Sequence, residues 1–466
     1  MFSLLAATVF ICATAAAYGS MRRRSRLLAL LFAFGVVARL SASIALFVIS
    51  RFHVAVFRDL QLGDGFWALA PDGRNYYDVA SQAVTHGLGA IQNGSASPFY
   101  VRVLALWMWA LGVSPISAFL LNVACYAASA ALIVVASARG RPAPPEPDTG
   151  AMVSLAAITF SPALLIFSTQ PLKDALFVLL MIAGVVGANA WWTSPLSGER
   201  RDAKATVLGG LLVLAGIFGV AGIRSYMAFI IIAAYCAAGA FAVVWRSDVG
   251  AGRRWDVIRN IALLLLLWAA FAAGGGADYR RYSAFVVSTW ANPSTPIAAL
   301  DRARNGFVAS GGATALSAET AEGATALVSA QARTTGAPAP SPSTPTRGAR
   351  VGNAVRGALV LWVPVSLLRL ASVVRFSGGR GLLLITDIDT LMADATVAIS
   401  LWFLVISLRR GRVTPGMVFV LVLAVLTTVS LGYVVTNYGT LFRLRLLGVT
   451  PLWMLPILRS QERRAA

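Results

Sequence analysis

The chain has 466 residues, of which 58% are hydrophobic and only 12% are charged. Soluble domains carry about twice that charged fraction, so the composition excludes an ordinary water-soluble enzyme. The formal charge of +20 is then explained by where the arginines fall between apolar segments.

Apolar runs of about 18 residues or more recur along the chain, and each is long enough to cross a bilayer. We predict an all-α polytopic membrane protein with about eleven transmembrane helices. The predicted spans are 2–18, 27–49, 115–138, 151–168, 174–192, 205–222, 226–245, 259–275, 391–408, 414–433 and 441–458. Arginine-rich segments follow the first, third, fifth, seventh, ninth and last of them. Because basic loops stay in the cytoplasm, the N-terminus is predicted outside and the C-terminus inside.

This topology divides the chain into three regions with two long outer loops. The first region is an N-terminal bundle (1–275), which contains the first outer loop (50–114). The second region is the second outer loop (276–390), which contains a low-complexity linker (308–346) and an interfacial segment (353–376). The third region consists of the C-terminal helices (391–466). The interfacial segment is apolar but is interrupted by Pro364.

The first outer loop contains a polar island, "APDGRNYYDVA", at residues 70–80. Apolar residues at Tyr76, Val79, Ala80 and Ala83 follow helical spacing, which predicts a short amphipathic helix. Asp72 falls just before it. One interpretation is that Asp72 caps the helix; the other is that it is a general base held over the membrane surface.

Other side chains of this loop are further candidates for the site. Arg74 is a candidate for substrate binding, and Tyr76 and Tyr77 offer flat faces to a sugar. The rival carboxylates are Asp59, Asp64 and Asp78. The following apolar stretch, which ends at Ser114, has about 14 residues and is short for a span, so we predict that it lies along the interface.

Three outer turns add charged side chains. Lys173 and Asp174 open the fifth span, and they are either a snorkelling lysine beside a helix cap or a headgroup-binding pair. Arg224 lies on a short outer turn, where a positive charge is unexpected. The last turn holds Asn437, Arg443 and Arg445. Arginines that enter the hydrocarbon region are costly and usually have a partner, and guanidinium groups match phosphate oxygens.

These segments together resemble the GT-C superfamily of membrane glycosyltransferases, which use polyprenyl-phosphate-linked sugars. The resemblance rests on "D…YY…A" at Asp72 to Ala80, on the interfacial segment Tyr100 to Ser114, on "PLKDALFVLL" and on the closing "TNYGTLFRLR". The arrangement of spans and loops is similar over most of the chain, whereas the matching sequence motifs cover about forty residues. The first loop has one Asp at this position, where the protein mannosyltransferases have an adjacent acidic pair.

The resemblance implies sugar transfer on the outer face of a bacterial plasma membrane. Asp72 would be the catalytic base, and Lys173, Arg224, Arg443 and Arg445 would hold the phosphate of the donor. The expected partners are a polyprenyl-phosphate-linked donor, a glycan, lipid or protein acceptor, and membrane lipids, without nucleic acid. No cofactor is predicted, and the need for a divalent metal is left open. Three alternatives stay open: a polymerase or ligase that uses a polyprenyl-diphosphate-linked glycan, a lipid-linked glycan flippase or transporter, and a purely structural subunit of a polysaccharide assembly complex.

Overall fold

The computed structural model describes residues 2–91, 97–138, 148–196, 203–244, 258–266, 347–370, 380–434 and 438–459, with a few single positions between them. The chain forms two compact units. The first consists of Met1–Ser283, Thr396–Leu423 and Val449–Ala466, and the second of Ala284–Ala395 and Ala424–Gly448. The three regions assigned by membrane crossing stay a prediction, and the linker at 308–346 lies outside the described residues.

The described part is almost entirely helical. Its helices are α1 (Phe2–Arg24), α2 (Arg26–Arg51), α3 (Asp72–His86), α4 (Pro98–Leu111), α5 (Pro115–Ala138), α6 (Thr149–Phe160), α7 (Pro162–Phe167), α8 (Asp174–Leu196), α9 (Ala203–Ile223), α10 (Ser225–Val244), α11 (Arg347–Trp362), α12 (Val365–Leu370), α13 (Arg380–Arg409), α14 (Pro415–Val434) and α15 (Tyr438–Leu452). Two short strands, β1 (Gln61–Gly63) and β2 (Phe66–Trp67), form an antiparallel hairpin.

Six helices of the described ranges are long and apolar enough to cross a membrane. They are Ser3–Arg24, Arg26–Arg51, Pro115–Ser137, Asp174–Trp192, Thr386–Arg409 and Pro415–Val434. The helical, membrane-embedded character of the chain is therefore confirmed, whereas the predicted count of eleven spans is not.

The remaining predicted spans differ from the structure in identifiable ways. Residues 151–168 form two short helices, α6 and α7, instead of one span. The apolar described parts of α9 and α10 are Val207–Ile223 and Phe229–Val244, and 259–275 is described as a helix only as far as 266. The last span is predicted to reach residue 458, but α15 ends at Leu452, just after Pro451.

Helix α13 begins well before residue 391, where the sequence predicts the ninth span to start. The eleven residues from Arg380 to Thr390, assigned to the second outer loop, are helical. Asp387 and Asp389 lie in this stretch. Both carboxylates accept hydrogen bonds within the second unit, from the backbone N–H of Ser366 and from Arg445. Each carboxylate thus has a hydrogen-bonding partner, and the helix continues through both residues.

The hairpin is a feature that the sequence analysis did not predict. Asp64 and Gly65 form its turn with φ of 53° and 91°, the left-handed values that a two-residue hairpin turn requires. Ser50 donates a hydrogen bond to the Phe66 carbonyl at 3.0 Å, and the indole of Trp67 donates to the Leu46 carbonyl at 3.0 Å. The hairpin is therefore folded back along the last turns of α2.

The break between α6 and α7 removes one backbone hydrogen bond from the interior of the first unit. Pro162 has no N–H, so the Ile158 carbonyl, four residues earlier, loses its helical donor. The guanidinium of Arg39, near the middle of α2, donates to this carbonyl from Nη2 at 2.8 Å. Ser161 caps the new helix by accepting from the Leu164 N–H at 3.3 Å.

Arg39 is held in this position by its surroundings. It is only 2% exposed, and its guanidinium lies 4.0 Å from the centre of the Tyr126 ring. A second N–H donates to the Gly35 carbonyl at 3.2 Å. The arginine thus exchanges water for two carbonyls and an aromatic face, which makes a buried cation tolerable.

We expect Arg39 and Pro162 to be energetically coupled. Arg39→Leu leaves the Ile158 carbonyl without a donor, whereas Pro162→Ala gives that carbonyl a helical donor and removes the need for the arginine. A double-mutant cycle measured by unfolding in detergent should therefore give a coupling energy of about 1–3 kcal/mol.

The control is Pro415→Ala at the first residue of α14, which should add independently to Arg39→Leu. A cycle in which Arg39→Leu and Pro162→Ala are also additive would contradict this account of the break.

Candidate functional site

The polar island forms the start of α3. Helix α3 begins at Asp72, and Pro71 is its N-cap residue, without a side-chain capping bond. Asp72 therefore occupies the first helical position and is not the predicted cap. A carboxylate there still interacts favourably with the helix dipole. Tyr76, Ala80 and Ala83 are buried as the spacing predicts, while Asp72 is exposed.

The first turn of α3 rests on the turn that precedes α8. A methyl group at Gly73 would lie 3.2 Å from Cδ of Pro171, so only a very small residue allows this approach. The buried amide of Asn122 donates to the carbonyls of Ser168 and Gln170, at 3.1 and 2.5 Å. The amide of Gln170 in turn donates to the Gly65 carbonyl at 3.2 Å. Side-chain amides thus fix this turn, α5 and the hairpin together.

Lys173 connects this turn to α3 and α4. Its ammonium group donates a hydrogen bond to the Ser97 hydroxyl and lies 5.8 Å from the centre of the Tyr76 ring. Ser97 precedes α4 and donates to the Ile223 carbonyl at the end of α9, at 3.3 Å. Lys173 is half-buried, so its charge is held in place and has limited access to water.

Asp174 and Arg224 form a mostly buried ion pair. The guanidinium Nη2 lies 3.5 Å from Oδ1 of the carboxylate, and the two side chains are 10% and 2% exposed. Asp174 is the first residue of α8, and Arg224 directly precedes α10. Two helices therefore begin at this ion pair. The start of α3 lies against the same turn. We define the outer cluster as Asp72, Tyr76, Lys173, Asp174 and Arg224, and we call it outer because the basic loops predict that this side of the membrane is outside.

The two adjacent tyrosines of α3, Tyr76 and Tyr77, differ in exposure. Tyr76 is 3% exposed, and its ring packs edge-on against Tyr100 at 5.2 Å. This burial corrects the expectation that Tyr76 stacks on a sugar, since its ring is used in packing. Tyr77 is half-buried and lies 5.3 Å from the ring of Phe66. Burial raises the pKa of the Tyr77 phenol, which keeps it a hydrogen-bond donor at neutral pH.

Two further side chains on the hairpin side are ordered by specific bonds. Arg74 is exposed and donates from Nη1 to the Leu62 carbonyl at 2.9 Å, which ties α3 to the hairpin. Asp64, a rival base in the sequence, is bound to Arg51 at 2.5 Å. Asp59 and Asp78 are exposed. Asp72 directly precedes Gly73, which lies against Pro171 of the turn before α8.

The second unit contains the arginines of the closing motif. Arg445 is 3% exposed and is bound to the Asp389 carboxylate and to the Thr390 hydroxyl of α13. This corrects the expectation that Arg445 holds a phosphate, because its guanidinium is engaged inside the unit. Arg443 is half-buried, and Asn437 lies outside the described residues.

Sequence reasoning missed a second polar network in this unit. Asp301 accepts hydrogen bonds from Arg350 at 2.7 Å and from the Tyr433 hydroxyl. Arg304 donates to the Tyr433 carbonyl at 2.7 Å and lies 5.5 Å from its ring. The signal available in the sequence was the run Asp301-Arg302-Ala303-Arg304, which sets three charges within four residues of the second outer loop.

Comparisons with known proteins add no assignment. No family model, no curated protein and no solved structure matches the chain. Among the described residues, no group of three or more His, Cys, Asp or Glu side chains is arranged to hold a metal ion.

We expect the Asp174–Arg224 pair to stabilise the fold far more than an exposed pair does. Arg224→Ala removes a cation from a carboxylate that is 2% exposed, and such a change costs about 3 kcal/mol of unfolding free energy. The control is Arg51→Ala in the Arg51–Asp64 pair, where both side chains are 56% exposed and the expected cost is below about 1 kcal/mol. Equal costs for the two variants, measured by unfolding in detergent, would refute the assignment of a buried pair.

The Arg445–Asp389 pair generates a separate prediction. Arg445→Leu leaves the buried Asp389 carboxylate without its cation. Unfolding in detergent should therefore show that the free energy of unfolding falls by about 3 kcal/mol. Adding Asp389→Leu removes that carboxylate as well, and most of the lost stability should return. If the double variant is less stable than Arg445→Leu, the arginine does more than neutralise Asp389.

Proposed function

We propose that this protein is a membrane glycosyltransferase of the GT-C type. In this proposal it transfers a sugar from a polyprenyl-phosphate carrier to a glycan, lipid or protein acceptor on the outer face of the plasma membrane. One observation carries the proposal. Helices α3, α8 and α10 all begin at the outer cluster, together with two cations and one exposed carboxylate.

The N-termini of helices favour an anion. Each helix start presents unsatisfied N–H groups and the positive end of its dipole, and phosphate binds readily at such positions. Lys173 and Arg224 add two charges, of which Asp174 balances one. The outer cluster without Asp72 therefore has a net positive charge, which suits the single phosphate of a polyprenyl-phosphate sugar.

The adjacent spans favour a donor carried by lipid. The charged turn lies at the first residue of α8, which is apolar and long enough to cross the bilayer. A phosphate bound at that turn is at the depth of the headgroups, and the isoprenoid tail can stay in the hydrocarbon region. The basic loops predict that this end of α8 faces outward.

Asp72 is proposed as the general base. Its carboxylate accepts the proton of an acceptor hydroxyl while that oxygen attacks the anomeric carbon. The bond between the anomeric carbon and the phosphate oxygen breaks, and polyprenyl phosphate leaves with the electron pair. Lys173 and Arg224 stabilise the charge that the leaving phosphate gains. A single displacement inverts the anomeric centre, and Tyr77, which is half-buried, is placed to contact a sugar.

The closing motif has a divided role in the proposal. Asn437 and Arg443 stay predicted substrate-binding residues on the strength of the sequence. Arg445 is proposed to hold α15 against α13 through Asp389 and Thr390, so that its contribution is to position the helix that carries Arg443.

The test compares lipid-linked sugars and envelope glycans by mass spectrometry in cells with the normal protein, without it, and with Asp72→Asn at equal expression. The loss of a general base typically lowers the rate by about 10²–10⁴. Asp72→Asn should therefore match the deletion, with the donor accumulating and one glycan lacking a sugar.

The matched control is Asp78→Asn, an exposed carboxylate on the same helix α3, which should keep the normal glycan profile. If the deletion loses a glycan and Asp72→Asn does not, Asp72 is not the base. If the deletion changes no glycan, sugar transfer itself is refuted.

A further inference from the structure

The segment that follows α2 exposes an unusual number of large apolar side chains. Phe52 and Phe57 are 71% and 70% exposed. Smaller apolar side chains accompany them along the same stretch: Val54, Val56, Leu60 and Leu62 are between 38% and 43% exposed. We define residues 52–62 as the apolar lip. Contiguous apolar surface of this kind marks an interaction site with a protein or a membrane.

The position of the apolar lip indicates that it interacts with a membrane and not with a protein. It begins at the residue after Arg51, where a 26-residue apolar helix ends. About 20 residues suffice to cross the hydrocarbon core, so the end of α2 reaches the headgroup region. The hairpin that closes the lip is bonded to α2 at Leu46 and Ser50. The chain therefore turns back beside the helix at this level and does not extend straight away from the bilayer.

The lip is held in a defined conformation. The amide of Gln61 donates to the carbonyls of Val54 and Val56, at 2.8 and 2.7 Å. His53 and Phe57 adopt left-handed backbone angles, with φ of 49° and 50°. Such angles are unfavourable for residues other than glycine and persist where the surrounding structure imposes them. In this conformation the two phenylalanines are exposed.

We propose that the apolar lip inserts Phe52 and Phe57 into the lipid layer at the end of α2. Its partner is the bilayer itself, with the aromatic side chains among the upper acyl chains and Arg51 and Arg58, both exposed, at the level of the headgroups. This assigns a membrane-binding surface to a part of the chain that does not span.

The insertion fixes the height of α3 over the membrane. Leu62, at the end of the lip, accepts the hydrogen bond from Arg74 of α3, and Phe66 of the hairpin packs on Tyr77. A lip anchored in lipid therefore keeps the polar start of α3, with Asp72, beside the bilayer surface. The anchoring itself does not depend on sugar transfer.

The test places a nitroxide at Phe57→Cys in the full chain in lipid nanodiscs. The background is Cys12→Ser and Cys236→Ser, because these two cysteines are exposed and Cys125 is buried. Collision with oxygen, which concentrates in lipid, is compared with collision with a water-soluble nickel chelate. Val9→Cys on exposed α1 is the control for lipid, and Gln82→Cys on α3 is the control for water.

The proposal predicts an oxygen-to-nickel ratio at Phe57 clearly above that of Gln82 and towards that of Val9. A ratio equal to that of Gln82 would mean that the lip is in water and would overturn the proposal. Low accessibility to both reagents would mean that protein covers the lip, which also overturns it. Phe52→Cys repeats the measurement if Phe57→Cys does not fold. No substrate is needed, so failure here is distinct from failure of the proposed sugar transfer.

Discussion

The missing backbone donor at Pro162 is the constraint on which the outer cluster depends. A carbonyl without a donor is costly in the interior of a membrane bundle, and here Arg39 supplies the donor. Because the loss is compensated, α6 can end and the separate helix α7 can begin under the cap of Ser161. Helix α7 leads directly into the turn that carries Lys173 and Asp174. Arg39, a cation within a predicted span, therefore supports the turn that carries Lys173 and Asp174, although Arg39 is not part of that turn.

One buried carboxylate in each unit is balanced by an arginine, while Asp72 and Arg74 at the start of α3 are exposed. Asp174 is bound to Arg224, and Asp389 is bound to Arg445, with all four side chains mostly buried. Buried charges require such pairing. Asp72 and Arg74 are exposed instead, which leaves them accessible to a substrate. Asp72 is proposed to act on the substrate from an exposed position, whereas Arg224 is proposed to act on the phosphate from within its ion pair with Asp174.

Periodicity and composition were sufficient to predict the helical membrane architecture and the amphipathic face of α3. Tyr76, Ala80 and Ala83 are buried because their spacing puts them on one side of a helix. The expectation that Tyr76 stacks on a sugar does not fit this burial, since the same spacing that makes the helix amphipathic also turns this ring inward. The partner of Arg445 could not be predicted, because Asp389 lies 56 residues away in sequence and the pairing exists only after α13 and α15 pack. The hairpin had a local signal in the sequence, because the dipeptide Asp64-Gly65 is typical of a two-residue hairpin turn. That signal was overlooked among the surrounding apolar residues.

The central claim is that the outer cluster binds the phosphate of a polyprenyl carrier. Its most direct test is photo-crosslinking of the purified protein in lipid with a polyprenyl phosphate that bears a photoreactive group beside the phosphate. The account predicts labelled peptides from the start of α3 and from the turn before α8. Excess unlabelled polyprenyl phosphate should abolish that labelling, and Lys173→Ala should weaken it. Labelling that is unchanged both by excess unlabelled polyprenyl phosphate and by Lys173→Ala would contradict the account.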